Sequence, residues 1–285
     1  MADFRFSRRR FLQTVSVAAV ALPGISASAD DRQELTPAAR LIRAKRVLVI
    51  AHRGESRAAP ENTLPAFRAA IRAKADLVEL DYYHSADDIP VVFHDATLDR
   101  TTDAKRRWGG SKIPLVSKTL RQLKTLDAGS WFDAKFAGTR IPTLDESLDL
   151  IQQDAVTLIE HKQGTAVACV ALLKHKDLLE RVVVQSFNWK FLAECRRLAP
   201  TLVLGALGNK RLTAERLEQA RQTGASVIGW NHKSLTPDQI TAIHRAGLKA
   251  WVYTVNDRRR VVVLKKSGID GIITDVPRTV RAALR

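Results

Sequence analysis

From Val47 onward the chain alternates between two hydrophobic rhythms. Short apolar runs of strand length recur at Val47–His52, Asp76–Tyr82, Pro90–His94, Val156–Glu160, Val182–Ser186, Leu202–Ala206, Ser226–Trp230, Ala250–Thr254 and Gly271–Thr274. Between most of them the apolar positions fall three and four apart, the spacing of an amphipathic helix. Those helical stretches are Thr63–Lys74, Thr165–Leu179, Asn188–Leu198, Thr213–Thr223, Pro237–Ala246 and Arg258–Lys266. Strands alternating with helices predict an α/β fold with parallel strands and helical crossovers. One pair breaks the rhythm, because Tyr83 to Ile89 is too short for a helical crossover. It reads as a β-hairpin around Ser85-Ala86-Asp87-Asp88. Setting aside the return arm leaves eight crossover-linked strands, the number of a TIM-type (β/α)8 barrel. A doubly wound open sheet is the alternative, since periodicity does not show closure. Residues 97–138 lack a strand pattern and read as an inserted cap segment after the second strand.

Several strands end on charge where a core would be apolar. Glu79 and Asp81 lie two apart and therefore share a face of their strand. With the hairpin centred between residues 87 and 88, Asp81 is expected opposite His94, which puts both on the same face. Glu160 and Lys162 share a face at another strand end, and His52-Arg53 and Thr274-Asp275 close two more. Unpaired buried charge is too costly to be casual, so these ends predict a site at the C-terminal rim. Glu79, Asp81 and Glu160 form a hard oxygen set suited to one divalent cation, Ca²⁺ or Mg²⁺, rather than Zn²⁺. Arg53 and Lys162 would hold an anion beside it, and His52 and His94 supply an acid and a base. Together they point to phosphodiester hydrolysis. His161 should point away from Glu160 into the barrel wall; His84, His175, His232 and His244 read as packing or surface histidines.

Composition adds the chain's start and its charge. Ser7-Arg8-Arg9-Arg10-Phe11-Leu12, the apolar stretch Val15–Leu22 and Ala27-Ser28-Ala29 have the order of an export signal over residues 1–29, of twin-arginine type. Residues 30–45 read as linker and lead-in helix, and 46–285 as the barrel. Export would place the protein in the periplasm or outside the cell. No later apolar run approaches ~20 residues, so no membrane span is expected. The net charge is +16, of which +3 falls in residues 1–29. The basic residues are scattered without a nucleic-acid motif, which argues against DNA or RNA and for attraction to anions, including weak association with anionic surfaces. Cys169 and Cys195 lie among apolar neighbours and read as buried free thiols; export leaves a disulfide open.

The stretches HRGESRAAPENTLPAF, VELDYYHSADDIPVVFHD, LIEHK, VVVQSF, AWVYTVN and DGIITDVP resemble, in order, the motifs of the glycerophosphodiester phosphodiesterase family. The resemblance runs from about residue 47 to 280. It implies a TIM-type barrel, a divalent cation, and hydrolysis of small-molecule glycerophosphodiesters to glycerol 3-phosphate and an alcohol. It places catalysis on His52 and His94, metal ligation on Glu79, Asp81 and Glu160, and phosphate contact on Arg53 and Lys162. It assigns Glu61 and Asn62 support of the metal or of His52, and turns Gln185 and Trp251 toward the substrate. Two positions depart from the pattern: Ala86-Asp87-Asp88 replaces a Lys-Asp-Gly type turn, and His161 stands where an apolar residue is common. Alternatives on the same scaffold are a lysophospholipase D or a cyclising phospholipase-type activity. A non-catalytic exported binder of phosphorylated ligands is the alternative from another class.

Overall fold

A computed structural model describes residues 35–285. The export-signal reading of residues 1–29 and the start of the lead-in segment lie outside the described residues. Helix α1 (Pro37–Ile42) is capped by Thr36, whose hydroxyl accepts the Ala39 N–H at 3.2 Å. Strands and helices then follow as β1 (Leu48–Ala51), α2 (Leu64–Arg72), β2 (Leu77–His84) and β3 (Pro90–Val92). Next come α3 (Ala104–Trp108), α4 (Leu120–Leu123), α5 (Leu144–Ile151), β4 (Val156–His161) and α6 (Ala166–His175). The rest is β5 (Val182–Ser186), α7 (Trp189–Leu198), β6 (Val203–Gly208), α8 (Ala214–Gln222), β7 (Val227–Asn231), α9 (Pro237–Arg245), β8 (Lys249–Tyr253), α10 (Arg258–Lys266), β9 (Gly271–Thr274) and α11 (Pro277–Leu284).

The sheet runs β1-β9-β8-β7-β6-β5-β4-β2 in parallel, and β1 also pairs with β2, which closes a barrel of eight strands. The open-sheet alternative is thereby excluded. Alternation along each strand separates two cores. One face packs under the surrounding helices and includes Val78, Leu80, Ile159, Val184 and Ile272. The other fills the barrel with Leu48, Ile50, Leu77, Leu158, Val183, Val203, Val227, Trp251 and Ile273. Ala38 and Ile42 of α1 join that interior cluster, so the lead-in helix plugs the N-terminal end. Thr143, Thr165, Thr213 and Thr236 cap the helices that follow them, each contributing about 1 kcal/mol. Cys169 and Cys195 are free thiols buried in the outer core.

The structure corrects two local expectations and adds detail to a third. The crossover into β4 is α5, which the strand–helix count passed over although Thr143 and Glu146 form a capping box ahead of buried Leu144, Leu148 and Ile151. Residues 97–138 form short helices over a core of their own, built from Leu98, Ala104, Leu115, Leu123 and Leu126 against Val91 and Phe93. Finally, the hairpin pairs Tyr82 with Val92, Tyr83 with Val91 and His84 with Pro90. That register is centred on residue 87, one step from the expected one, so the residue opposite Asp81 is Phe93 rather than His94. The cause is the turn, in which Asp88 takes a left-handed φ of 59° and Ser85 N–H bonds Ile89 O at 3.0 Å. A loop of that kind has an odd number of residues.

Candidate active site

Each barrel strand rises from the apolar interior layer, and the next inward positions are polar. Above Leu77 stand Glu79 and Asp81; above Leu158 stand Glu160 and Lys162; above Val183 stand Gln185 and Phe187. Adjacent strands bring them level, since Asp81 pairs with Glu160 and Glu160 with Gln185. The result is a cavity of about 170 Å³ at the C-terminal rim. His52, Arg53, Glu79, Asp81, His94, Glu160, Lys162 and Gln185 line it, joined by Phe187, Leu207 and Tyr253. His94 reaches the cavity despite the shifted register. The ladder ends at Val92 with a last bond from Phe93 N–H to Asp81 O at 3.0 Å, after which the chain turns inward.

Ligand oxygens of Glu79, Asp81 and Glu160 lie within 4.8 Å of one another, and all three residues are buried. Burial, then the charges of Asp81 and Glu160, push the Glu79 carboxyl well above its ordinary value. Burial and the Asp81 charge likewise push Glu160 up to about 7, against the pull of Lys162. Glu79 Oε2 accepts the Arg53 backbone N–H at 2.7 Å, while its Oε1 is buried without a partner. A buried acceptor without a partner beside two like charges is an arrangement that a cation would complete, so the donor set fits a hard divalent ion. Lys162 Nζ meanwhile contacts Asp81 Oδ1 at 3.0 Å and Glu160 Oε1. Gln185 donates to the other Glu160 oxygen at 3.4 Å.

The loop after β1 frames this cluster. Arg53 and Asn62 both adopt left-handed backbone, with φ of 55° and 57°, strain that persists because the loop is tied at each end. Asn62 donates to Asp81 Oδ2 at 2.9 Å and accepts the Asp81 N–H at 3.2 Å. Glu61 accepts from Arg53 at 2.8 Å. Thus Asn62 bonds a member of the acidic cluster, whereas Glu61 pairs with Arg53 and has no hydrogen bond to His52 among the described residues.

Each histidine rests on its own carboxylate. His52 Nδ1 lies 2.7 Å from Asp275 Oδ1, and Asp275 also accepts from Asn256 at 2.6 Å and Ser56 at 3.1 Å. His94 Nδ1 lies 2.6 Å from Asp95 Oδ1. A carboxylate at Nδ1 makes that nitrogen the N–H and leaves Nε2 free to accept a proton. Burial lowers the His94 pKa, Asp81 opposing, and so favours the neutral ring. Arg100, from the inserted segment, grips Asp95 at 2.6 and 3.1 Å and Glu61 at 2.7 and 2.8 Å. Burial alone would raise Asp95, but Arg100 and then His94 hold it at about 2.

Trp251 requires a correction. Expected to face substrate, it is fully buried in the barrel interior and absent from the cavity lining. Its ring fills the space left at Gly271, where a Cβ would lie 2.6 Å from the indole. Two residues on, Tyr253 occupies the rim on the same face, with its hydroxyl donating to Gly208 O at 2.8 Å. His161 packs outward, as its position in the strand implies, stacked on Phe191 at 3.6 Å between ring centroids.

The model of the glycerophosphoryl diester phosphodiesterase family matches residues 52–279. A glycerophosphodiester phosphodiesterase of Caldanaerobacter subterraneus subsp. tengcongensis is 37% identical over 241 residues, covering 82% of this chain and 96% of that protein. Another from Bacillus subtilis is 32% identical, covering 83% and 86%. Among solved structures, an Oleispira antarctica phosphodiesterase in complex with the product sn-glycerol-3-phosphate has a TM-score of 0.76 and 31% identity, covering 83% of this chain and 96% of that one. The chain belongs to the glycerophosphoryl diester phosphodiesterase family.

Proposed function

We propose that the enzyme hydrolyses glycerophosphodiesters to glycerol 3-phosphate and an alcohol, with one divalent cation, Ca²⁺ or Mg²⁺, held by Glu79, Asp81 and Glu160. The observation that carries this reading is the buried acidic trio, with an orphan oxygen, set among two cations and two carboxylate-held imidazoles. The product named for the Oleispira antarctica relative supports the choice of substrate class. When bound, the ion would offset charge building on the phosphate oxygens. Arg53 and Lys162 orient the phosphate and would share that work. Of His52 and His94, one takes a proton at Nε2 from the nucleophile and the other delivers one to the departing alkoxide. Asp275 and Asp95 keep each ring in the right tautomer, and Arg100 fixes Asp95. Phe187, Leu207 and Tyr253 form the apolar side of the cavity, against the carbon atoms of the glycerol.

The S-R-R-x-F-L start supports export, with action in the periplasm or outside the cell. Cell fractionation of wild type and an Arg8→Lys/Arg9→Lys variant tests that, since retention of the variant in the cytoplasm is expected. The activity is tested by product analysis on glycerophosphocholine. Glycerol 3-phosphate and choline should appear, and EDTA should stop both. A cyclic phosphate as the final product would instead assign the cyclising reaction.

A further inference from the structure

A second group of basic side chains lies at the other end of the barrel. A cavity of about 710 Å³ opens where the strands begin, bounded by the α1–β1 and α2–β2 links and the ends of α10 and α11. The apolar barrel interior separates it from the rim site, so the two cavities are independent. Seven basic side chains line it against a single acid, Asp270. That acid is already engaged by His244 at 2.8 Å, Lys249 at 3.0 Å and the Ala250 N–H at 2.8 Å. Just outside, Asp76 is shared by Arg46 at 2.7 and 2.8 Å and Arg281 at 3.1 Å. Both nearby carboxylates are therefore spent. The ammonium groups of Lys45 and Lys74 keep no partner among the described residues, although the Lys74 carbonyl accepts from Arg281 Nη2, and both side chains are exposed at the cavity. Arg281 Nε is buried and lacks an acceptor. Like charges gathered around a concavity repel unless an anion completes them, and a buried guanidinium N–H without an acceptor asks for the same thing. The volume lies in the range of small-molecule sites, and Val47, Ile269 and Leu284 give it an apolar floor.

We propose that this cavity is a second anion site, which binds two or more phosphate charges brought close together, either on one free polyphosphate or on neighbouring anionic lipid headgroups. Binding there leaves the catalytic rim open to substrate, because the barrel lies between them.

The test compares wild type with Lys45→Glu/Lys74→Glu and with Lys105→Glu/Lys112→Glu. The second variant makes the same change in net charge on exposed residues of the inserted segment. Binding of tripolyphosphate is measured by calorimetry, and retention on phosphatidylglycerol vesicles by cosedimentation, both in EDTA. Turnover of glycerophosphocholine with cation restored should match wild type in both variants, which checks folding. The cavity variant should lose about tenfold or more in affinity while the control stays within about twofold. Loss confined to vesicles assigns lipid headgroups, and loss confined to tripolyphosphate assigns a free ligand. Equal behaviour of the two variants in both arms, or no binding by wild type, overturns the proposal.

Discussion

Replacing Arg100 with Met removes a side chain of the inserted segment that braces both Asp95, the partner of His94, and Glu61, the partner of Arg53. The wild-type guanidinium makes four hydrogen bonds, two to Asp95 and two to Glu61. Its side chain is 46% exposed, so solvent screening keeps the stability cost near 1 kcal/mol in spite of that number. For a chain of this size that is a fall of about 2–4 °C in melting temperature. The catalytic cost is larger, because Asp95 is left holding His94 without a brace of its own. Loss of such an outer partner costs about 10–100-fold in comparable sites. The fall should appear in kcat, since Arg100 touches neither the cavity nor the phosphate side chains directly, with KM changing little. The pH profile carries the independent signature. Without Arg100, burial dominates and the Asp95 pKa climbs from about 2, so protonation breaks its bond to His94 at a higher pH. The acid limb of kcat therefore moves upward, and added guanidinium should bring back part of the rate. A kcat within twofold of wild type, or a fall with an unmoved acid limb and no rescue, would refute the positioning argument.

Asp275→Asn should lower kcat by about four orders of magnitude, as loss of a tautomer-fixing carboxylate does, with little change in KM in steady-state assays. The same substitution tests linkage: burial would raise Asp275, but His52, Asn256 and Ser56 hold it at about 2. Its stabilisation, about 2 kcal/mol, is present above about pH 4 and disappears as pH falls through about 2. Urea unfolding between pH 5 and pH 2.5 should accordingly show wild type losing more than the variant. Glu79→Gln removes like-charge repulsion and should raise the melting temperature of the cation-free protein by several degrees at pH 8 while abolishing turnover. A melting temperature lower than wild type would contradict the reading of Glu79, Asp81 and Glu160 as a cation site. Gly54→Ala should cost about 3 kcal/mol or more by chemical denaturation, because φ is 83° and a Cβ would lie 2.6 Å from the Ala66 backbone.

What the sequence revealed depended on how far each inference had to reach. Glu79, Asp81, Glu160 and Lys162 follow from period-2 alternation alone, and a closed barrel then brings the strand ends together. The hairpin register could not be had that way. It turned on whether Asp88 adopts left-handed backbone, a choice that Asp tolerates but does not announce. His94 reached the cavity by leaving the ladder, so it was expected in the right place through an incorrect pairing. For Trp251 the face was right and the depth wrong, because depth depends on the glycine one strand away. Asp275 and Asp95 stood in the quoted motifs and needed only a partner. Arg100 had no local signal, since its role arises from a side chain crossing between loops 39 residues apart in sequence.

The claim on which the account depends is that the buried acidic trio works only with a cation in it. Chelator-treated enzyme should be titrated with Ca²⁺ and with Mg²⁺ while glycerol 3-phosphate release is followed. Turnover should be absent at the start, rise in step with the binding of one ion per chain, and stay absent in Glu79→Gln at every concentration. Full turnover in excess EDTA, or saturation without any bound ion, would contradict it.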